Sequence, residues 1–190
     1  MHAAVSNNLN AGILIRMKKG IIILGSSNSN GTTRKIASFI GARTDFPIID
    51  LNTKIIEKFD YEFNNRDDDF LPLIRHIVES YQIIVFATPV YWYSMSGTMK
   101  IFFDRLSDCL KTEKETGRKL RGMEMAVACC GCDQELKEGF YMPFIETAKY
   151  LGITYQGDMY CMEENGLPII NEAEVEIFLK RIKGEHSIIS

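Results

Sequence analysis

Residues 20–35 read GIIILGSSNSNGTTRK, and the reading of this stretch decides the fold. Five apolar positions end in a glycine, a run of small polar residues follows, and Ile36, Ala37 and Ile40 then fall at helical spacing. Strand, polar turn and helix in that order form the first half of a parallel β-α-β unit. They also place a helix N-terminus, with its unpaired amides, at the end of a buried strand, a local geometry that favours an anion.

The pattern repeats along the chain. FPIIDLN (46–52) reads as a second strand, QIIVFATPVYW (82–92) as a third, MEMAVACCGCD (123–133) as a fourth and TYQGDMYCM (154–162) as a fifth. Helical stripes lie between and after them: Phe70, Leu73, Ile74, Ile77 and Val78; Met99, Phe102, Phe103, Leu106 and Leu110; Phe140, Phe144, Ile145, Ala148 and Leu151; Val175, Phe178, Leu179 and Ile182. Five strands alternating with five helices imply an α/β fold, a doubly wound parallel sheet with helices on both faces. Residues 53–66 are polar and irregular, a surface excursion. Asp67, Asp68 and Asp69 then precede a helix and read as carboxylates at the positive end of its dipole, with a metal site as the sharper alternative.

The 190 residues suit one domain. Residues 17–190 are expected to form it. Residues 1–16, MHAAVSNNLNAGILIR, read as an extension, either disordered or an arm packed on a partner subunit. A net charge of −3 gives no footprint for nucleic acid, and no apolar run reaches the ~18 residues of a membrane span. Five cysteines without a secretory signal point to reduced thiols in a cytoplasm.

The first loop is neither of two familiar nucleotide motifs. Gly25 and Gly31 enclose five residues, and Thr32 stands where a P-loop needs lysine. The three glycines of a dinucleotide fingerprint are absent. What remains is Ser26, Ser27, Asn28, Ser29, Asn30, Thr32 and Thr33, more hydroxyls and amides than one helix cap requires. Such a loop suits a single phosphate monoester.

In a sheet of order 2-1-3-4-5 the first and third strands are neighbours at the point where the winding reverses, and ligands bind at their carboxyl ends. The second unusual loop, TPVYWYSMSG (88–97), falls there. Pro89 stiffens it, and Tyr91, Trp92 and Tyr93 offer planar surface for a flat ligand, although three successive aromatics cannot all face one way. Ser94 or Ser96 serves as a cap, and Gly97 lets a backbone pass close.

GSSNSNGTT (25–33), ATPVYWYSMSGTMKIFFDR (87–105) and CCGC (129–132) together resemble the flavodoxin-like NAD(P)H-dependent FMN reductases and quinone reductases, over residues 20 to about 183. The chain departs from many members at Asn28, where they carry arginine, and at Thr32-Thr33, where they carry Asn-Thr. The resemblance implies FMN as cofactor, NAD(P)H as co-substrate, a small-molecule electron acceptor such as a quinone or flavin, and a homodimer or homotetramer. It implies that Ser26, Asn28, Asn30, Thr32 and Thr33 hold the FMN phosphate. Pro89, Val90, Tyr91 and Trp92 would line the isoalloxazine, and Cys130, Gly131, Cys132 and Asp133 would form a third flavin loop. A flavodoxin-type electron carrier is the alternative, disfavoured by the modest charge, and a flavin-free interaction domain is the third reading. The CCGC spacing argues against a metal, because Cys129 and Cys130 at a strand end point to opposite faces. Cys129 reads as a buried apolar residue, while Cys130 or Cys132 would lie close to a flavin bound as the resemblance implies, and one of them is expected to be redox-sensitive.

Overall fold

The computed structural model describes residues 18–185. The extension expected at residues 1–16 lies outside them. Seven strands form the sheet: β1 (Gly20–Leu24), β2 (Ile48–Asp50), β3 (Ile83–Tyr91), β4 (Ser94–Met95), β5 (Glu124–Gly131), β6 (Thr154–Glu164) and β7 (Leu167–Ile169). The order is β2-β1-β3-β5-β6-β7, with β4 paired to the end of β3. The five strands read from the sequence are β2, β1, β3, β5 and β6, all parallel and in the expected order. The sequence reading omits β4 and β7, both short and antiparallel.

Alternate residues of the central strands enter two separate cores, as expected of strands buried on both faces. Ile21, Ile23, Ile84, Phe86, Met125, Val127 and Cys129 pack on one side with α2 (Phe70–Ser80), α3 (Gly97–Lys111) and α5 (Met142–Leu151). Ile22, Leu24, Val85, Ala87, Ala128, Cys130 and Cys161 pack on the other with α1 (Thr32–Thr44) and α6 (Glu172–Lys183). Cys129 and Cys130 thus face opposite ways. Phe86, Phe103, Phe140 and Phe144 interlock in the first core, with Phe103 and Phe144 edge to face at 5.1 Å. Each such ring contributes about 1.5–3 kcal/mol by burial.

A sixth helix absent from the sequence reading, α4, spans Lys114–Leu120 and lies between α3 and β5. Two stripe positions are corrected: Leu110 and Ile145 are 38% and 40% exposed, at the outer edge of their helices.

The three aspartates before α2 do more than oppose its dipole. Asp68 Oδ1, one residue ahead of the N-cap Asp69, accepts from the Phe70 amide at 3.0 Å, and Asp69 Oδ2 turns away from the helix to accept from the Ile55 amide at 2.7 Å. Asp68 Oδ2 pairs with Arg105, whose side chain is fully buried and also reaches Asp108 at 2.8 Å. Arg105 donates to the carbonyls of Glu57 and Asn65 as well, at 3.0 and 3.2 Å, and so ties the irregular segment 54–69 to α3.

Candidate active site at the carboxyl edge of the sheet

The loop after β1 is compact because the chain turns back on itself. The Asn28 amide donates to Ser26 Oγ at 3.2 Å, the Asn30 amide to Asn28 Oδ1 at 3.0 Å, and the Gly31 amide to the Asn28 carbonyl at 3.2 Å. Gly25 is required there: a Cβ would stand 2.8 Å from Met99 Cβ and 3.1 Å from its Cα. The helix that follows begins at Thr32 with Gly31 as N-cap, and no side chain caps it. The first amide to close a helical turn is that of Lys35, onto the Gly31 carbonyl at 3.3 Å. So the hydroxyls and amides of this loop bond to one another and leave the helix's leading amides open, which capping alone does not explain.

Each expected phosphate-loop residue has a distinct place. Ser26, Thr32 and Thr33 are buried, and Asn28 and Asn30 are exposed. The Thr33 hydroxyl points inward and lies 3.2 Å from Cys130 Sγ.

The loop after β3 holds a feature that the sequence reading lacks. β3 runs on to Tyr91, reverses through Trp92 and Tyr93, and returns as β4, with Val90 opposite Met95 and Tyr91 opposite Ser94. Trp92 and Tyr93 have φ of 49° and 63°. Two positive values in a two-residue hairpin are the arrangement that asparagine and glycine normally supply, and bulky residues there are strained. Neither aromatic enters the core: Trp92 is 94% exposed and Tyr93 61%. Tyr91 reaches across to the first loop, its hydroxyl 3.0 Å from Ser27 Oγ. Ser96 is the cap of α3: its Oγ accepts from the Met99 amide at 3.1 Å and donates to the Gly25 carbonyl at 2.6 Å. The close approach expected at Gly97 is not made by the chain itself, since a Cβ there would meet nothing within 4 Å.

At the end of β5, Gly131 fits between Val90 and Tyr160, whose Cβ and hydroxyl would lie 3.2 and 3.1 Å from an added methyl. Beside it opens a cavity of about 500 Å³, walled by Val90, Trp92, Tyr93, Cys132, Phe140 and Tyr160. Asp133, Glu135 and Lys137 stand at its charged side. Burial pushes the Tyr160 phenol up to about 12, so it stays protonated and donates to the Asp133 carbonyl at 2.6 Å. Cys130 turns away from this cavity and under α1; burial raises its thiol to about 11, against a lesser lowering by the Thr33 hydrogen bond. Cys132 is exposed on the cavity side.

The sheet edge therefore brings Val90, Trp92, Gly131 and Cys132 around one cavity, with Tyr91 joining it to the polar loop. Pro89 is buried in β3, paired with Cys130. Sequence reasoning misses Tyr160, Phe140 and Leu136 on the cavity, and Asp50, Asn52 and Arg34 around the polar loop. The available signal is position: Tyr160 and Asp50 both stand at carboxyl ends of parallel strands, where such sheets bind ligands. Among the described residues no three of His, Cys, Asp or Glu cluster as a metal site.

The polar loop after β1 and the cavity beside Gly131 open on the same carboxyl edge of a doubly wound sheet of the flavodoxin-like order. Residues 18–138 match the NADPH-dependent FMN reductase family, and the chain belongs to that family. It is 30% identical over 112 residues to the NAD(P)H-dependent FMN-containing oxidoreductase YwqN of Bacillus subtilis, covering 56% of this chain and 59% of that protein. It is 28% identical over 89 residues to an NADPH azoreductase of a Bacillus species, covering 47% of this chain and 50% of that one. The chain thus spans about half the length of the curated relatives it matches. In fold it is similar to the Trp repressor binding protein of Bacillus subtilis, with a TM-score of 0.66, 23% identity, and coverage of 86% of this chain and 96% of that one.

Proposed function

We infer that the chain is an FMN-dependent NAD(P)H oxidoreductase that passes electrons to a small acceptor: a quinone, a free flavin or an azo compound. The observation that carries this reading is the uncapped start of α1 opening on the same sheet edge as the cavity beside Gly131. The residues fit the cofactor. Ser26, Asn28, Asn30 and Thr32, with the amides of Thr32 and Thr33, would hold its phosphate. Val90, Tyr91 and Trp92 would flank the ring from one side, and Gly131 and Cys132 from the other, while Pro89 and the inward-turned Cys130 would contribute backbone only. A cavity of this size lies within the range of small-molecule sites.

FMN held there would supply the redox chemistry, hydride acceptance from a nicotinamide and electron donation to an acceptor. The chain's own part is placement and exclusion. The polar loop fixes the phosphate end, Gly131 keeps the wall thin where Val90 and Tyr160 meet it, and Trp92 and Tyr93 shield the open side from water. No side chain is assigned a proton transfer.

Exposed Leu110, Ile145 and Tyr150 on α3 and α5, with Trp92 at the hairpin tip, support a homodimer or homotetramer. Five free cysteines support a reducing, cytoplasmic setting. No helix among the described residues is long and apolar enough to cross a membrane.

The test is anaerobic. The protein is loaded with FMN, excess is removed, and NADPH and then NADH are added while the flavin absorbance is followed. Rapid bleaching, reversed by an acceptor, is the expected result. Flavin that is retained but not reduced would favour a carrier serving a protein partner. Failure to retain flavin would overturn the reading.

A further inference from the structure

The polar loop is held from outside by a ring of contacts that reaches back to β2. Asp50 ends that strand with its side chain 4% exposed, and its Oδ1 accepts from the Asn52 amide at 3.0 Å. Asn52 Nδ2 donates to the Ser26 carbonyl at 2.5 Å and to Ser29 Oγ at 3.3 Å. Arg34, in the first turn of α1, donates Nε to the Ser29 carbonyl at 3.2 Å. Its terminal nitrogen then stands 3.8 Å from Asp50 Oδ2, which is buried and accepts no hydrogen bond among the described residues. A buried carboxylate oxygen without a donor is costly, and its retention calls for a reason.

Charge supplies one. Residues 25–33 contain no lysine or arginine. Lys35, the next cation, is turned toward the β6–β7 hairpin, where its Nζ donates to the Gly166 carbonyl at 2.6 Å. Arg34 is the one guanidinium held against this loop among the described residues, and Asp50 keeps it there at ion-pair distance without a direct hydrogen bond.

We propose that Asp50, Asn52 and Arg34 form a positioning bracket that sets the shape of the anion loop, and that Arg34 supplies the charge by which the loop prefers a phosphorylated flavin to an unphosphorylated one. Arg34 acts through the Ser29 carbonyl and through its field, since its Nε is used on that carbonyl and its terminal nitrogen stands beside Asp50. The proposal rests on the reading of this edge as an FMN site.

The experiment measures FMN and riboflavin affinity by quenching of flavin fluorescence, using full-length protein freed of flavin. Arg34→Gln is expected to lose about tenfold in FMN affinity while riboflavin affinity stays within about twofold. Retained riboflavin binding shows that the variant is folded. Arg34→Lys keeps the charge but not the fork, and is expected to recover part of the loss. Asp50→Asn removes a negative charge near the anion; a bare field effect would tighten FMN, whereas loss of the bracket weakens it. Weaker FMN binding by Asp50→Asn is therefore expected. An unchanged FMN-to-riboflavin preference in Arg34→Gln, or tighter FMN binding by Asp50→Asn, would overturn the bracket alone. Wild-type protein that holds neither flavin would overturn the FMN reading and the bracket with it.

Discussion

Two irregular stretches, residues 25–31 and 54–69, are each held by an arginine and an aspartate, and they are held differently. Arg105 is fully buried and its guanidinium is used on both Asp68 and Asp108 and on two carbonyls. Arg34 is a third exposed, bonds one carbonyl, and stands off from Asp50. The first arrangement engages the whole guanidinium and serves to fix the chain, although Asp108 Oδ1, like Asp50 Oδ2, is buried without a donor among the described residues. The second leaves an acceptor and a charge partly unspent beside the loop where a ligand's phosphate is proposed to bind. A guanidinium engaged at every nitrogen suits a structural tie, and one engaged through a single hydrogen bond suits a site that a ligand completes.

Breaking the closed tie gives the largest expected effect. Arg105→Ala strands Asp68 and Asp108 as buried charges and is expected to cost about 3–5 kcal/mol, lowering the unfolding midpoint by roughly 10 °C. Hydrogen exchange should quicken across 54–69 before the rest of the chain. Acid should act on the same tie. Burial alone would raise the Asp68 carboxyl, but the hydrogen bond from Arg105 and the amides of Glu57 and Phe70 outweigh it and hold it below the ordinary value. Its folded pKa is thus depressed, so the stabilisation is present above the unfolded pKa of about 3.9 and is lost as pH falls through the folded value. Wild-type stability should drop across that acid window, and Arg105→Ala should flatten the drop.

The open arrangement breaks from beneath. Gly25→Ala drives a methyl into Met99, including its backbone Cα, and disturbs the carbonyl that Ser96 Oγ holds at 2.6 Å. The expected loss is about 1–3 kcal/mol in stability, measured by denaturant unfolding. FMN affinity should fall more than that of Arg34→Gln, because the whole loop moves.

What was legible in the sequence follows the same division between local and distant causes. Parallel strands buried on both faces write themselves as apolar runs, so GIIIL, IIVFA and MAVAC were readable, and alternation with helices gave the order of the sheet. The helix at 114–120 was not, because KETGRKL buries only Thr116 and Leu120 and shows no stripe. β7 carries a proline and edges the sheet, against the usual signature of a strand. The polar loop announced itself through seven short polar residues. Its bracket did not, since Asp50 and Arg34 meet only once β2 lies beside β1. Asp68 and Arg105, 37 positions apart, were likewise invisible to local pattern.

The hairpin tip sharpens the comparison at the smallest scale, because here the unspent quantity is backbone strain. Trp92 and Tyr93 occupy left-handed backbone that asparagine and glycine adopt readily, and Trp92 is almost wholly exposed, so little burial offsets the strain. The double substitution Trp92→Asn, Tyr93→Gly installs the pair that such a turn favours. Without flavin it is expected to stabilise the protein by about 1 kcal/mol, raising the unfolding midpoint by about 2–4 °C. It also strips the aromatic wall from the cavity, and FMN affinity should fall by about two- to tenfold. A variant that is more stable and binds FMN as well as wild type would mean that the strained aromatics serve some other contact than the flavin's. A variant that gains stability while losing affinity would mark the tip as a place where the chain gives up folding energy to keep two rings at the mouth of the site.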